Sequence, residues 1–447
     1  MSLLADAVLT ELAAVVGPSR TEISPIVCAG LAVDGRVPNI AVSPATAEQA
    51  AAVLRYADEQ RLALIPRGGG TKLSMGNPPQ RYDMALLLRD MKRVVHYEPA
   101  DLTITVEPGI TFGDFQELVG KDRLWLPLDP CGGAESTVGG IIAANAAGPL
   151  RQGFGGPRDM VLGLKVATAD GKIVKSGGRV VKNVAGYDFG KLFTGSFGTL
   201  GLIIEASLKL FPKPPERATF TMRAGTLGIA RNLRRSLLAS PLTAFRLVLL
   251  DATASSLVSE PASGHARRGP ELWMEVGGSH RVVERYRLEL ERLTSAVGAQ
   301  WARQEAPDGA WNRVSNLAHW LPSKFPDVTV LKTALPLVAT EEFLSRAQQE
   351  AESEHIPLAG VAEVGLGIVR LCALQEKLTS GIAAWVGRLR QAAADLGGRL
   401  VIEHGPVELK NQVDVWGPGG DDLAAMRKVK SACDPNAVLA PGRLLGF

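Results

Sequence analysis

The stretch Leu128–Pro149, LDPCGGAESTVGGIIAANAAGP, constrains this chain more than any other. From Ser136 to Leu150 no residue is charged, and Gly, Ala, Ser, Thr and Asn crowd the run. Such a segment cannot fill a core with bulk. It suits a backbone that must come close to a neighbour, because Gly has no side chain and leaves its amide open. Ser136 and Thr137 are placed to cap a short helix starting near Gly139, and a helix N-terminus attracts phosphate. A close helix–helix or helix–sheet contact needs the same residues, so this stretch alone leaves both readings open. Two more glycine clusters, reached below, favour the ligand.

The bulk properties narrow the class. A chain of 447 residues exceeds what one core supports, so two domains are expected. With 46% hydrophobic and 21% charged residues it reads as an ordinary globular protein. A net charge of +3 marks neither a nucleic-acid nor a membrane surface. The four cysteines, Cys28, Cys131, Cys372 and Cys433, lie far apart without a CxxC or Cys/His cluster, which supports neither zinc nor an iron–sulfur centre. A reducing cytoplasm fits that usage. The N-terminal MSLLADAVLTEL reads as an amphipathic helix rather than a signal peptide. The uncharged run is too short and polar to span a bilayer, so membrane association is expected only through partners.

In chain order, a helix over 3–16 ends at Gly17-Pro18, and Thr46 opens a helix over 47–60. The strand 62–65 runs straight into Pro66-Arg67-Gly68-Gly69-Gly70-Thr71-Lys72. Three glycines after a strand end present successive amides to an anion, and Arg67 and Lys72 add charge; a plain surface turn is the other reading. Runs at 84–88, 94–97 and 103–106 are rich in β-formers, 112–119 reads as a helix, and 163–168 pairs with 172–175 across Ala169-Asp170-Gly171. A third glycine cluster, Gly195-Ser196-Phe197-Gly198-Thr199-Leu200-Gly201, leads into a strand, and Lys213-Pro214-Pro215 marks a boundary. Beyond it strands and helices alternate, with a loop over 252–270 and a long helix over 376–396. That pattern predicts an α+β domain whose sheet is covered on one face.

Several glycine loops on an α+β scaffold suggest a dinucleotide, yet neither GxGxxG nor GxxxxGK[ST] occurs. A Rossmann fold and a P-loop are both disfavoured. The ordered set Pro66–Lys72, then Ser136-Thr137-Val138-Gly139-Gly140 with Asn145 and Gly148, then 195–205 resembles the vanillyl-alcohol-oxidase-type (PCMH-type) FAD-binding family. Lys182-Asn183-Val184-Ala185-Gly186-Tyr187-Asp188, with Lys191-Leu192, resembles the E-subunit family of bacterial glycolate oxidases.

The resemblance implies a bipartite FAD domain over 1–215, an inserted α+β cap over 216–420, and a tail over 421–447 returning to the FAD domain. Arg67, Gly68, Gly69, Gly70, Thr71 and Lys72 would wrap the pyrophosphate. Pro130, Ser136, Thr137, Gly139, Gly140, Asn145 and Gly148 would follow the cofactor towards its ring, and Gly198, Thr199, Leu200, Gly201 and Ile203 would hold the adenine side. Family members with covalent flavin carry His in the first loop; here Thr71 stands there, so FAD is expected to be dissociable.

The substrate side is poorer. D-2-hydroxyacid dehydrogenases of this family hold a metal and the substrate with a His-x-His pair and a downstream Glu-His. This chain has six histidines, none spaced as His-x-His, and no metal site is expected. Glu403 and His404 superficially match the downstream pair, or mark a strand end. Arg443 suits a substrate carboxylate, or a structural ion pair. Tyr187 and Asp188 read as a fixed turn. The expected function is the FAD subunit of a glycolate or other 2-hydroxyacid oxidase complex, partnered by a second FAD subunit and an iron–sulfur subunit. A stand-alone FAD dehydrogenase for another hydroxyacid or alcohol, and a non-catalytic FAD scaffold, are the alternatives.

Overall fold

Thr46 caps the helix Ala47–Glu59 by accepting a hydrogen bond from the Gln49 amide, and the helix turns Ala50, Val53, Leu54 and Ala57 inward. Behind it lies a small mixed sheet in the order Thr21–Glu22, Ile40–Val42, Met84–Leu87, Leu64–Arg67; the last three strands run parallel. Fully buried strands of this kind read as continuous apolar runs, as Met84–Leu87 does. The computed structural model describes residues 3–178, 189–259, 269–304 and 309–446. It divides into two compact units, one of residues 1–147, 156–212 and 414–447, the other of 148–155 and 213–413.

In the first unit a five-stranded antiparallel sheet follows, ordered Val94–Glu98, Thr103–Val106, Leu202–Lys209, Val161–Ala167, Ile173–Gly177. Ile104, Val106, Leu164, Val166, Ile204 and Leu208 are buried on one face, and on the other Thr105 and Ser207, also buried, meet at 2.9 Å. The C-terminal segment then comes back to the first sheet. Leu439 bridges Leu64 in parallel, with Leu64 donating to the Val438 carbonyl and Ala440 to that of Leu64, both at 2.8 Å. Val438 and Leu439 are fully buried in the same cluster as Leu54, Leu64 and Met84. A helix over Leu423–Cys433, not foreseen from the sequence, precedes this return, and the side chain it buries is that of Lys430.

The second unit is built on an eight-stranded antiparallel sheet. Its order is Gln300–Gln304, Glu216–Arg223, Glu271–Gly278, Arg246–Leu250, Leu358–Glu363, Ile368–Ala373, Thr329–Ala334, Arg399–His404. The expectation of a sheet covered on one face needs correction. Val248, Trp273, Val330 and Ala359 pack with Trp311, Val314 and Leu317 from short helices over Ala310–Ser315 and Leu317–Trp320. Gly360, next to Ala359, faces the other way, where a Cβ would meet Leu344 of the helix Thr340–Ser353 at 2.5 Å. Both faces therefore carry core.

Two other elements depart from expectation. The helix expected over 376–396 occupies Ile382–Asp395. The expected loop over 252–270 begins as a helix, Ala252–Val258, because Asp251 caps it: its carboxylate accepts from the Ala254 amide at 2.7 Å and from the Gly360 amide at 2.6 Å. Burial pushes the Asp251 carboxyl up from 3.8 to about 6, against the pull of those amides. A raised acid favours the protonated fold, so its contribution is complete below the unfolded pKa and is lost as pH climbs to about 6. We expect the melting temperature of the protein, relative to Asp251→Asn, to fall between pH 4 and 6, by an amount equivalent to about 3 kcal/mol. A difference that stays flat over that range contradicts this assignment.

Candidate cofactor site

The strand Leu64–Arg67 delivers the first glycine loop directly into the second cluster. A Cβ on Gly68 would lie 2.0 Å from Thr137 Oγ1, and one on Gly69 would lie 2.2 Å from the Glu135 carbonyl oxygen. Only glycine permits that approach. Thr71 Oγ1 and Ser136 Oγ close the contact at 3.0 Å. Thr137 then caps the short helix Val138–Ala143, accepting from the Gly140 amide at 3.3 Å. Ser136 was also expected as a cap; its hydroxyl is committed to Thr71 and to the Cys131 carbonyl.

The third cluster docks on the far end of that helix. Gly195 donates to the Ile142 carbonyl at 3.0 Å and Phe197 to that of Ala143 at 2.8 Å. Phe197 holds a positive φ of 54°, unusual for an aromatic residue, and its ring meets Trp416 edge-on at 5.2 Å. Gly198, at φ +70°, brings its backbone against the Pro66 ring.

These three clusters, up to about 130 residues apart in sequence, line one open cleft. Arg67, Gly68, Gly69, Gly70, Thr71, Lys72, Ser136, Thr137 and Gly140 all line it, together with Ile141, Ala143, Ala144, Ala146 and Phe197. Among the described residues Arg67 and Lys72 are its only charged lining, so one part is cationic and the rest is uncharged, with an apolar wall of Ile141, Ala143, Ala144, Ala146 and Phe197. An adjoining cleft shares Pro66, Gly68, Thr137, Gly140 and Phe197 and adds Gly139, Gly198, Gly201 and Ile203. This division suits a ligand with a doubly charged centre and a flat apolar end. The fit is clearest at Gly140, which is exposed and whose Cβ would meet nothing but Thr137 Oγ1, at 3.2 Å. The space beside it belongs to the cleft.

Other expected residues do not line these two clefts. Pro130, Asn145, Thr199 and Leu200 are absent from both linings. Thr199 is fully buried; its hydroxyl donates to the Ser196 carbonyl and its carbonyl accepts from Lys430. Gly148 belongs to the second unit. Lys182–Asp188, including Tyr187, lies outside the described residues. Arg443, offered as a carboxylate anchor, is buried: it pairs with Asp34 and donates to the carbonyls of Leu73, Met75 and Asn77, so its four terminal N–H groups are spent on its own unit. Burial lowers its pKa, and Asp34 opposes that. Arg443 is a clamp on the segment after the first glycine loop. Glu403 is bound to Arg370 at 2.8 Å. Sequence reasoning missed Phe197 and the alanine wall, since an aromatic and several alanines carry no chemical signature by themselves.

Comparison with known proteins agrees with the cleft. Residues 38–177 match the model of an FAD binding domain, and residues 213–444 match that of the C-terminal domain of FAD linked oxidases. The second match alone spans more than half of the chain, and the chain belongs to the FAD-linked oxidases. It is an FAD-dependent oxidoreductase. Among its relatives is the glycolate oxidase subunit GlcD of Bacillus subtilis, 28% identical, with 91% of this chain and 89% of that protein covered. A D-2-hydroxyglutarate dehydrogenase of Xanthomonas citri is also 28% identical, over 90% of this chain and 88% of that protein. In fold the chain resembles 4-ethylphenol oxidase from Gulosibacter chungangensis, with a TM-score of 0.76 at 16% identity over 99% of this chain and 97% of the other. No helix among the described residues is long and apolar enough to cross a membrane.

Proposed function

We propose that this chain is the FAD-carrying subunit of a 2-hydroxyacid oxidase complex. The observation that carries the reading is the similarity, over about nine-tenths of the chain, to a glycolate oxidase subunit and a D-2-hydroxyglutarate dehydrogenase. The amides of Gly68, Gly69 and Gly70, with Arg67 and Lys72, hold the pyrophosphate. Gly140 leaves room for the cofactor to pass, and Ala143, Ala144 and Phe197 exclude water along its apolar end. FAD, when bound, supplies the acceptor for the hydride of the substrate α-carbon. Thr71, its hydroxyl engaged with Ser136, offers no covalent attachment.

A subunit role is supported by the cysteines. Cys28 and Cys372 are buried and Cys131 and Cys433 half-buried, and the four are spread over the chain, so no electron carrier beyond flavin is built from them. The partners would be a second flavin subunit and an iron–sulfur subunit; the likeness to the E subunit rests on Lys182–Asp188, and the related subunit found by comparison is D. Turnover of glycolate and D-lactate with a quinone should therefore be slow for the FAD-loaded chain alone. It should rise at least about tenfold, roughly 1.4 kcal/mol of barrier, when co-purifying partners are restored. Rapid quinone reduction by the isolated chain, unchanged by partners, would instead favour a stand-alone dehydrogenase.

A further inference from the structure

Metal-using hydroxyacid dehydrogenases, as the resemblance implies, pair a Glu-His with further histidines around a divalent ion. The part of this chain nearest to that motif, Glu403-His404, closes the strand Arg399–His404. Its neighbourhood in the second unit does not fit a metal. Arg370, on the strand Ile368–Ala373, donates from Nε to Glu403 at 2.8 Å and from Nη1 to Glu363 on the adjacent strand Leu358–Glu363. Both carboxylates are thereby turned onto one guanidinium. The side chains of Arg370, Glu363 and Glu403 are 13%, 3% and 5% exposed. Among the described residues no group of three His, Cys, Asp or Glu side chains could hold a metal ion.

Two carboxylates this deep in a sheet demand a cation, because an uncompensated buried charge is strongly destabilising. Burial works against the charge on Arg370, but Glu403 and Glu363 outweigh it and hold the guanidinium above its usual pKa. Arginine suits the task, since its planar fork meets two carboxylates at once and does not lose its proton. We infer that Arg370 is the built-in cation of this cluster, so that Glu363 and Glu403 are held without a divalent ion, and that shortening it opens a divalent-metal site between them. The inference concerns the second unit alone and does not depend on the substrate proposed above.

The test is the melting temperature of the full FAD-loaded chain in EDTA and then in rising Mn²⁺ or Zn²⁺, metals that accept carboxylate ligands. Wild type and Arg370→Lys should show no saturable shift. Arg370→Ala should melt several degrees lower in EDTA and regain at least about half of that loss as metal binds, since a ligand specific to the native state raises stability. Adding Glu363→Gln to Arg370→Ala should abolish the recovery. Should Arg370→Ala fail to fold in EDTA, its soluble yield in metal-supplemented against chelated medium gives the same reading. A wild-type melting temperature that drops in EDTA and is restored by Mn²⁺ or Zn²⁺ overturns the inference, as does an Arg370→Ala protein blind to both metals.

Discussion

Gly140→Val is expected to leave the chain folded and strip it of FAD. The glycine is exposed on the short helix Val138–Ala143, and a Cβ there meets only Thr137 Oγ1. The two extra methyl groups of valine must then point into the cleft, where the cofactor is proposed to run. We expect affinity to fall by at least about a hundredfold, roughly 2.7 kcal/mol, with a melting temperature near that of wild-type apoprotein. Flavin content is read after acid precipitation, which should release all of the wild-type flavin if, as proposed, Thr71 forms no link to it. Gly68 and Gly69 would make poorer probes, since their substitution collides with Thr137 and Glu135 inside the protein and disturbs fold and cofactor together. Full flavin occupancy in Gly140→Val places the cofactor elsewhere.

Lys430→Met should destabilise the first unit more than any surface change. Lys430 Nζ is buried and donates to Asp434, to the Thr199 carbonyl at 2.8 Å and to the Leu439 carbonyl at 2.9 Å. Asp434 is itself buried; it accepts from the amides of Val438 and Leu439 at 3.0 and 2.8 Å. One ammonium thus ties the third glycine cluster to the returning C-terminal segment. Methionine fills much of the volume but leaves a buried carboxylate and two carbonyls without their donor, at a cost of about 3–5 kcal/mol. Calorimetry should show the melting transition lowered by roughly 5–15 °C, with FAD held less tightly because Thr199 adjoins Gly198. Lys430→Met combined with Asp434→Asn, which removes the orphaned charge, should recover part of the loss. A single mutant that melts like wild type would mean that the segment is held by the packing of Val438 and Leu439 alone.

Where backbone approach decides the geometry, the site was legible in the sequence. Gly68, Gly69 and Gly139 are glycines because neighbouring chain lies where a side chain would go, Gly140 faces the open cleft, and that demand shows in composition before any contact is known. The cap at Thr137 was legible for the same local reason, and so was the helix opened by Thr46. Residues whose role depends on where a distant segment returns were not. Arg443 looked like a substrate anchor because nothing in the tail reveals that it folds back onto Asp34 and the carbonyls after the first glycine loop. Glu403 looked like half of a motif because Arg370, which takes its carboxylate, lies 33 residues earlier. Nothing in the sequence tells that the Thr199 carbonyl receives Lys430 from the returning segment, or that Phe197 carries part of the cleft wall. The double covering of the large sheet was hidden in the same way, since strand alternation fails to show when both faces are apolar.

The central claim is that a 2-hydroxyacid gives its electrons to flavin held in the cleft between Arg67 and Phe197. It is tested most directly by loading the chain with FAD, together with its native partners, removing oxygen, and following the visible flavin spectrum as glycolate, D-lactate or D-2-hydroxyglutarate is added. Bleaching of the oxidised-flavin band by at least one of these acids, absent from Gly140→Val treated in the same way, is the predicted result. A wild-type spectrum that no 2-hydroxyacid changes, although dithionite bleaches it at once, would contradict the account and leave FAD here as a structural or relay cofactor.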